Sequence, residues 1–266
     1  MTLARLDAVA FTHRSALLVG AAAPLVCAPL VGPPPDLAQL GAGLALVAAG
    51  VGLRLASVRW LGKRARVSRA KATELVARGP YAHLRNPLYA AALLIIGGLG
   101  LMAGLGAWAL LPAAWAFLVY DRAVRHEERI LLGTHGEAAT TFMRKVPRWL
   151  PRVIGADGPE IERESWGQVA RREWRLLLFM PLALVALGAL ASPLVGDPVR
   201  SFAATVSRTL ATPLPALVGT VAVVAAVGNA LKTSYDLARK ARRNALEAAA
   251  ATTGSLVGAA LDVAKS

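Results

Sequence analysis

Two short polar stretches flank a long apolar one, and they hold the side chains best suited to bind or act on a ligand. Before it stand Gly79-Pro80-Tyr81 and Arg85-Asn86-Pro87-Leu88-Tyr89; after it stands Arg125-His126-Glu127-Glu128-Arg129. An arginine fork can grip a carboxylate through two parallel hydrogen bonds. A glutamate accepts from an ammonium group or from ribose hydroxyls. A tyrosine face attracts a cation, by about 0.5–2 kcal/mol. Together these groups suit a zwitterionic ligand that carries a ribose. The same residue types at the ends of apolar helices also act as snorkelling anchors, so the choice depends on the elements that position them.

Those elements are helices in lipid. Of the 266 residues, 56% are hydrophobic and 17% charged, and the mean hydropathy is +0.50. The charges are clustered. Residues 15–32 carry no ionisable group except Cys27, residues 37–53 carry none, and residues 176–196 and 209–231 are also clean. Residues 87–120 have only tyrosines as ionisable groups. A bilayer core needs roughly 20 apolar residues per helix, and a soluble bundle would give each helix a polar face. As one helix, residues 87–120 would reach about 50 Å, beyond a core of about 30 Å. The cluster Gly97, Gly98, Gly100, Gly104 and Gly106 predicts a hairpin turning near residues 103–107. The expected fold is therefore all-α: a polytopic transmembrane bundle of about six spans with a central hairpin.

The hairpin matters for the chemistry, because antiparallel helices bring their open ends together. It would place Arg85, Asn86 and Tyr89 beside Glu127 and Glu128 in one pocket at the headgroup level. Charge orients that pocket. Residues 54–85 hold nine Lys/Arg, residues 121–175 eleven and residues 232–266 six, while residues 32–36 and 103–107 hold none and residues 197–208 two. The positive-inside bias predicts cytoplasmic termini and a cytoplasmic pocket, in a bacterial inner or plasma membrane. The net charge of +14 flanks spans, which fits attraction to an anionic leaflet rather than to nucleic acid, and membrane lipids are the expected surroundings. Cys27, the single cysteine, lies in a span and suits packing. Residues 1–14 are polar and no small-residue cleavage site follows residue 32, so no secretory leader is expected.

The chain divides into five parts. Residues 1–60 form an N-terminal hairpin with Pro33-Pro34-Pro35 as its elbow. Residues 61–152 carry the polar stretches and the central hairpin. Residues 153–175 are a linker and an interfacial helix over 160–175, with acids first and bases last. Residues 176–231 add two spans, and residues 232–266 form a basic, alanine-rich helix. His83 and His126 lack a third ligand at metal spacing, so no metal site is expected, and each reads as an interfacial hydrogen-bonding residue.

The order of motifs adds a resemblance. Gly79-Pro80-Tyr81, Arg85-Asn86-Pro87-x-Tyr89, an apolar hairpin, Glu127-Glu128, Gly136-Glu137-Ala138 and Val146-Pro147-Arg148-x-Leu150-Pro151 together resemble the isoprenylcysteine carboxyl methyltransferase family. Membrane phospholipid N-methyltransferases are its relatives. The resemblance covers residues 77–152. It implies S-adenosylmethionine as cofactor, with Tyr81, Arg85, Asn86, Pro87, Tyr89, Glu127 and Glu128 lining its pocket and Arg85, Glu127 and Glu128 carrying catalysis. The implied acceptor is hydrophobic or lipidated: the carboxylate of an isoprenylcysteine-like group, or an aminolipid, for which Glu127 or Glu128 could act as base. Asn86 replaces a usual histidine, and Ala139 and Phe142 replace usual tyrosines, which puts the usual substrate in question. Two other readings stay open. One is a steroid-reductase-like membrane enzyme that uses NADPH and shares an Arg-x-Pro-x-Tyr element. The other is a scaffold that keeps the fold without activity. The spacing also gives an expectation within the Glu pair. Arg125, three residues before Glu128, could hold Glu128 at the surface and leave Glu127 the freer pocket residue. Yet the resemblance implies acids at both positions, so the two are expected to split the work, one holding cofactor and the other fixing Arg85 or the acceptor.

Overall fold

A computed structural model describes residues 3–62, 75–155 and 162–209, and among these every regular element is helical. The order is α1 (Leu3–Val31), α2 (Leu37–Leu61), a one-turn α3 (Pro80–His83), α4 (Pro87–Met102), a 3-10 turn (Gly106–Ala109), α5 (Leu110–Lys145), a short α6 (Trp166–Arg172), α7 (Trp174–Ala191) and α8 (Pro193–Thr209). All but the first residue of the expected last span (209–231), the basic tail, residues 63–74 and most of the linker lie outside the described residues.

The central hairpin turns where its glycines predict. Helix α4 ends at Met102, and after Gly104 (φ 81°) the 3-10 turn leads into α5. The first hairpin turns at the prolines, and Asp36 caps α2 reciprocally with Gln39, accepting from the Gln39 amide at 2.7 Å while Gln39 Oε1 accepts from its own. The two turns sit together, since a Cβ on Gly104 would come 2.5 Å from the Pro33 carbonyl oxygen. The hairpins then pack side by side, α2 against α4 and α1 against α5.

Glycine decides how closely α2 and α4 approach. A Cβ on Gly98 would stand 2.6 Å from the Gly43 carbonyl oxygen, and one on Gly43 would stand 2.7 Å from that of Gly98. Backbone meets backbone there, the small-residue packing that suits helices in lipid. A Gly98→Leu change is expected to force the pair apart and to cost at least the 1–3 kcal/mol or so typical of overpacking. Thermal unfolding followed by tryptophan fluorescence should show the drop. Gly97→Leu, at a position with open space for a Cβ, should leave the transition unmoved.

Helices α1, α2 and α7 are long and apolar enough to cross a membrane. The outward surface suits lipid as its solvent, with Trp108, Leu110, Leu118, Phe179, Leu182 and Val185 all exposed. Three expectations are corrected in detail. The first helix begins at Leu3, because residues 3–14 continue it along α5, where Asp7 pairs with arginines. The interfacial helix begins only at Trp166, where Ser165 and Gln168 make a capping box. Residues 197–208, expected as an external segment after a span ending at 196, belong to helix α8, which packs on α1 and α7.

Candidate functional site

The central hairpin is shorter than a bilayer core. Helix α4 has 16 residues, about 24 Å at 1.5 Å per residue. Helix α5 stays apolar only to Tyr120 and then runs on, charged, to Lys145. The open ends therefore lie near one edge of the apolar layer, where a polar group is costly unless partnered.

Arg85 and Glu128 meet at that depth. Arg85 Nη1 donates to Glu128 Oε1 at 2.6 Å, and both side chains are about nine-tenths buried. The rest of the Arg85 fork donates to the carbonyls of Met143 (2.6 Å) and Val146 (2.8 and 3.1 Å), which closes the last turn of α5. Arg148 reaches Glu128 from the other side, donating from Nε to Oε1 at 3.0 Å and from Nη2 to Oε2 at 2.5 Å. One carboxylate thus lies between two guanidiniums. The hydrogen bonding to Glu128 foremost holds the Arg148 guanidinium above its ordinary value, against its own burial.

This bears on two expectations. Arg125 does not hold Glu128 at the surface; it turns back to Asp121 at 2.7 Å, and Glu128 is 8% exposed. Arg85, read as a grip for a ligand carboxylate, directs its fork to Glu128 and the two carbonyls. The reason is tertiary. The segment after α5 folds back under α3 and α4, with the Arg85 amide donating to Pro147 O at 2.9 Å and the Arg152 amide to His83 O at 3.0 Å.

Glu127 faces the other way, accepting from the Tyr89 hydroxyl at 3.0 Å. The Tyr89 ring lies 4.7 Å from that of Tyr120. Arg14 of α1 is close enough to act electrostatically on both tyrosines, and Arg54 of α2 on Tyr120. Arg54 also pairs with Glu173 at 2.8 Å, tying α2 to the start of α7. The result is a cluster of two aromatic faces, a carboxylate and two guanidiniums.

The remaining residues play quieter parts. Tyr81 is 2% exposed and packs with Leu61 and Val76. Asn86 is 4% exposed, precedes Pro87 at the first position of α4, and donates to the Arg148 carbonyl at 3.4 Å. Gly79 (φ 59°) must be glycine, since a Cβ would fall 2.1 Å from the Trp60 indole nitrogen. His83 meets the Arg152 carbonyl at 2.9 Å, and the His126 ring lies 5.1 Å from that of Phe11. Burial, then the charge of Arg129, pushes that imidazole below its ordinary value, against the pull of Asp7.

Sequence reasoning missed Arg148, Asp121, Arg14 and Arg54 as site residues. Signals existed: Asp121 is the first charge after the long apolar run, and Arg14 and Arg54 adjoin clean apolar segments. Burial by itself would raise the Asp121 carboxyl, but hydrogen bonds from Arg125 and Trp149, with the charges of Arg125 and Arg148, hold it below its ordinary value. A carboxyl depressed by folding contributes fully above its unfolded pKa and loses that contribution as pH falls through the folded value. Apparent melting temperature should therefore fall on acidification below about pH 4, and Asp121→Asn should flatten that limb of the profile.

An all-helical bundle with an apolar outer surface and a polar cluster near one edge of its apolar layer is the architecture of a membrane protein with an internal site. Residues 38–138 match the phospholipid methyltransferase family, a range that runs from α2 to just past Gly136. The cobalt-zinc-cadmium resistance protein CzcN of Cupriavidus metallidurans is 38% identical over 104 residues, 39% of this chain and 47% of that protein. The nickel-cobalt-cadmium resistance protein NccN of Alcaligenes xylosoxydans xylosoxydans is 35% identical over 104 residues, 39% of this chain and 48% of that protein. The chain thus spans about half the length of the curated relatives it matches. No solved structure matches it.

Proposed function

We propose that the chain is an integral membrane methyltransferase that uses S-adenosylmethionine and methylates a lipidic or hydrophobic acceptor at the cytoplasmic face. Residues 61–152 are its catalytic core and both termini are cytoplasmic. The observation that carries this reading is the junction of Arg85-Asn86-Pro87-x-Tyr89 with Glu127-Glu128, clamped by Arg148, inside a region that matches phospholipid methyltransferases.

The residues fit the positive part of the cofactor. Two tyrosine faces beside a carboxylate favour a cation through the ring quadrupoles and the charge of Glu127. Arg14 and Arg54 act electrostatically on the tyrosine pair and, with Arg85, are the guanidiniums that could steer a carboxylate. When bound, S-adenosylmethionine supplies an electrophilic methyl group on a sulfonium. The protein then has to align an acceptor in line with that methyl, about 3–3.5 Å away, and to exclude water. The Tyr89 hydroxyl orients Glu127 for this. A carboxylate acceptor, as in an isoprenylcysteine-like group, needs no base. An aminolipid must first lose a proton, and Glu127 is the group placed to take it. Glu128, neutralised by two guanidiniums, holds the frame.

Calorimetry of the purified protein with S-adenosylhomocysteine and with NADPH tests the reading. Binding of the first alone is expected. NADPH binding without S-adenosylhomocysteine would replace it with a reductase, and binding of neither would leave a scaffold. Single-cysteine labelling at Ser266 in a Cys27-free variant tests the orientation, since labelling from outside would reverse it.

A further inference from the structure

A second polar feature lies on the opposite side of α5. Glu127 points to α4, whereas Arg122 and Arg129 lie about 140–160° away around the helix, on the side that packs against α1. There a cleft of about 320 Å³ opens between the two helices, lined by Leu3, Asp7, Arg122, Arg125, Arg129 and Leu132, with Glu128 at its wall.

The arginines in it are held rather than snorkelling. Asp7 of α1 is 3% exposed. Its carboxylate takes Arg129 at 2.9 Å and lies 3.6 Å from Arg122. Arg125 is braced by Asp121 at 2.7 Å. All three guanidinium side chains still keep roughly half their surface open, at 44–49%. Glu128 brings little net negative charge to the wall, because Arg85 and Arg148 already neutralise it from behind. Five arginines thus face three carboxylates, and the cleft is electropositive.

Its rim is apolar. Leu3 and Leu132 line it and are 66% and 40% exposed, and Leu6 nearby is also exposed. The cleft begins one residue past Asp121, where the apolar part of α5 ends, which is the depth of lipid headgroups. Guanidinium forks match the oxygens of a phosphate, and a leucine rim suits the chains attached to one. We propose that this cleft is a binding site for the phosphate of an anionic phospholipid, which bridges α1 and α5 independently of any methyl transfer.

Native mass spectrometry of the full chain in detergent tests the assignment, with phosphatidylglycerol, phosphatidylcholine and inorganic phosphate as probes. Phosphatidylglycerol should be retained at least tenfold more tightly than phosphatidylcholine. Each arginine near an anionic surface contributes about 1 kcal/mol, or about fivefold. Arg125→Gln should therefore weaken retention about fivefold, and Arg122→Gln with Arg129→Gln about 25-fold. Arg125→Gln leaves the Asp7 pairs intact, so it remains informative if the double variant unfolds. Equal retention of both lipids, or an Arg125→Gln variant that binds like wild type, would overturn the proposal. So would displacement of the lipid by an equal concentration of inorganic phosphate, which would mark an ion site rather than a lipid site.

Discussion

Replacing Glu128 by glutamine is expected to lower the apparent melting temperature of the detergent-solubilised protein by about 10 °C. The amide keeps the shape of the carboxylate but carries no charge. Its NH2 group would face guanidinium donors already lying within 2.5–3.0 Å. Arg148 is 30% exposed and can turn to solvent, but Arg85 is 11% exposed and anchored to the Met143 and Val146 carbonyls. Removing one partner of a buried pair costs about 3–5 kcal/mol because the other charge stays behind. For a chain of this size each kcal/mol moves the transition by about 2–4 °C. Arg148→Gln should cost less, since it leaves the Arg85–Glu128 pair in place. A Glu128→Gln variant that melts like wild type would show that the clamp does not hold α3, α4 and the end of α5 together.

Glu127→Gln should do the opposite, leaving the transition within a few degrees of wild type while removing most methyl transfer. Glu127 is only half-buried, and it accepts from the Tyr89 hydroxyl, as an amide oxygen still can. What the amide loses is the negative charge beside two tyrosine faces and the capacity to take a proton. A positioned general base is worth about 100-fold or more, so transfer of labelled methyl groups should fall by about that factor with an amine acceptor. Tyr89→Phe keeps the ring and loses one hydrogen bond to a charged group, worth about 1.5–3 kcal/mol, for an expected drop of roughly 10- to 100-fold. Near wild-type transfer by Glu127→Gln would place the chemistry elsewhere and leave this pair a structural anchor.

The two glutamates illustrate how far sequence reasoning reaches. Helical geometry separates adjacent residues by about 100°, so unequal roles for Glu127 and Glu128 were legible in advance. Which one is buried was not. The i, i+3 spacing offered Arg125 as a partner for Glu128, whereas the structure pairs Glu128 with Arg85 and Arg148, 43 and 20 residues away. A local rule worth a few tenths of a kcal/mol is outweighed by a buried pair.

Features that depend on local pattern can be read along the chain. Charge-free runs require helices in lipid, because no other open structure satisfies the backbone there. A glycine cluster places the turn after Met102, and the motif order brings Arg85, Tyr89 and the Glu pair to one end of the bundle. The partners depend on how the helices come together. That packing turned Arg85 inward to two carbonyls, brought Arg148 back beneath Glu128, set Arg14 and Arg54 near the tyrosines and buried Asp7 between α1 and α5. Such pairings follow from how closely helices approach and at what rotation. At the α2–α4 contact that is set by Gly43 against Gly98, a fit between surfaces 55 residues apart that no periodicity along the chain encodes.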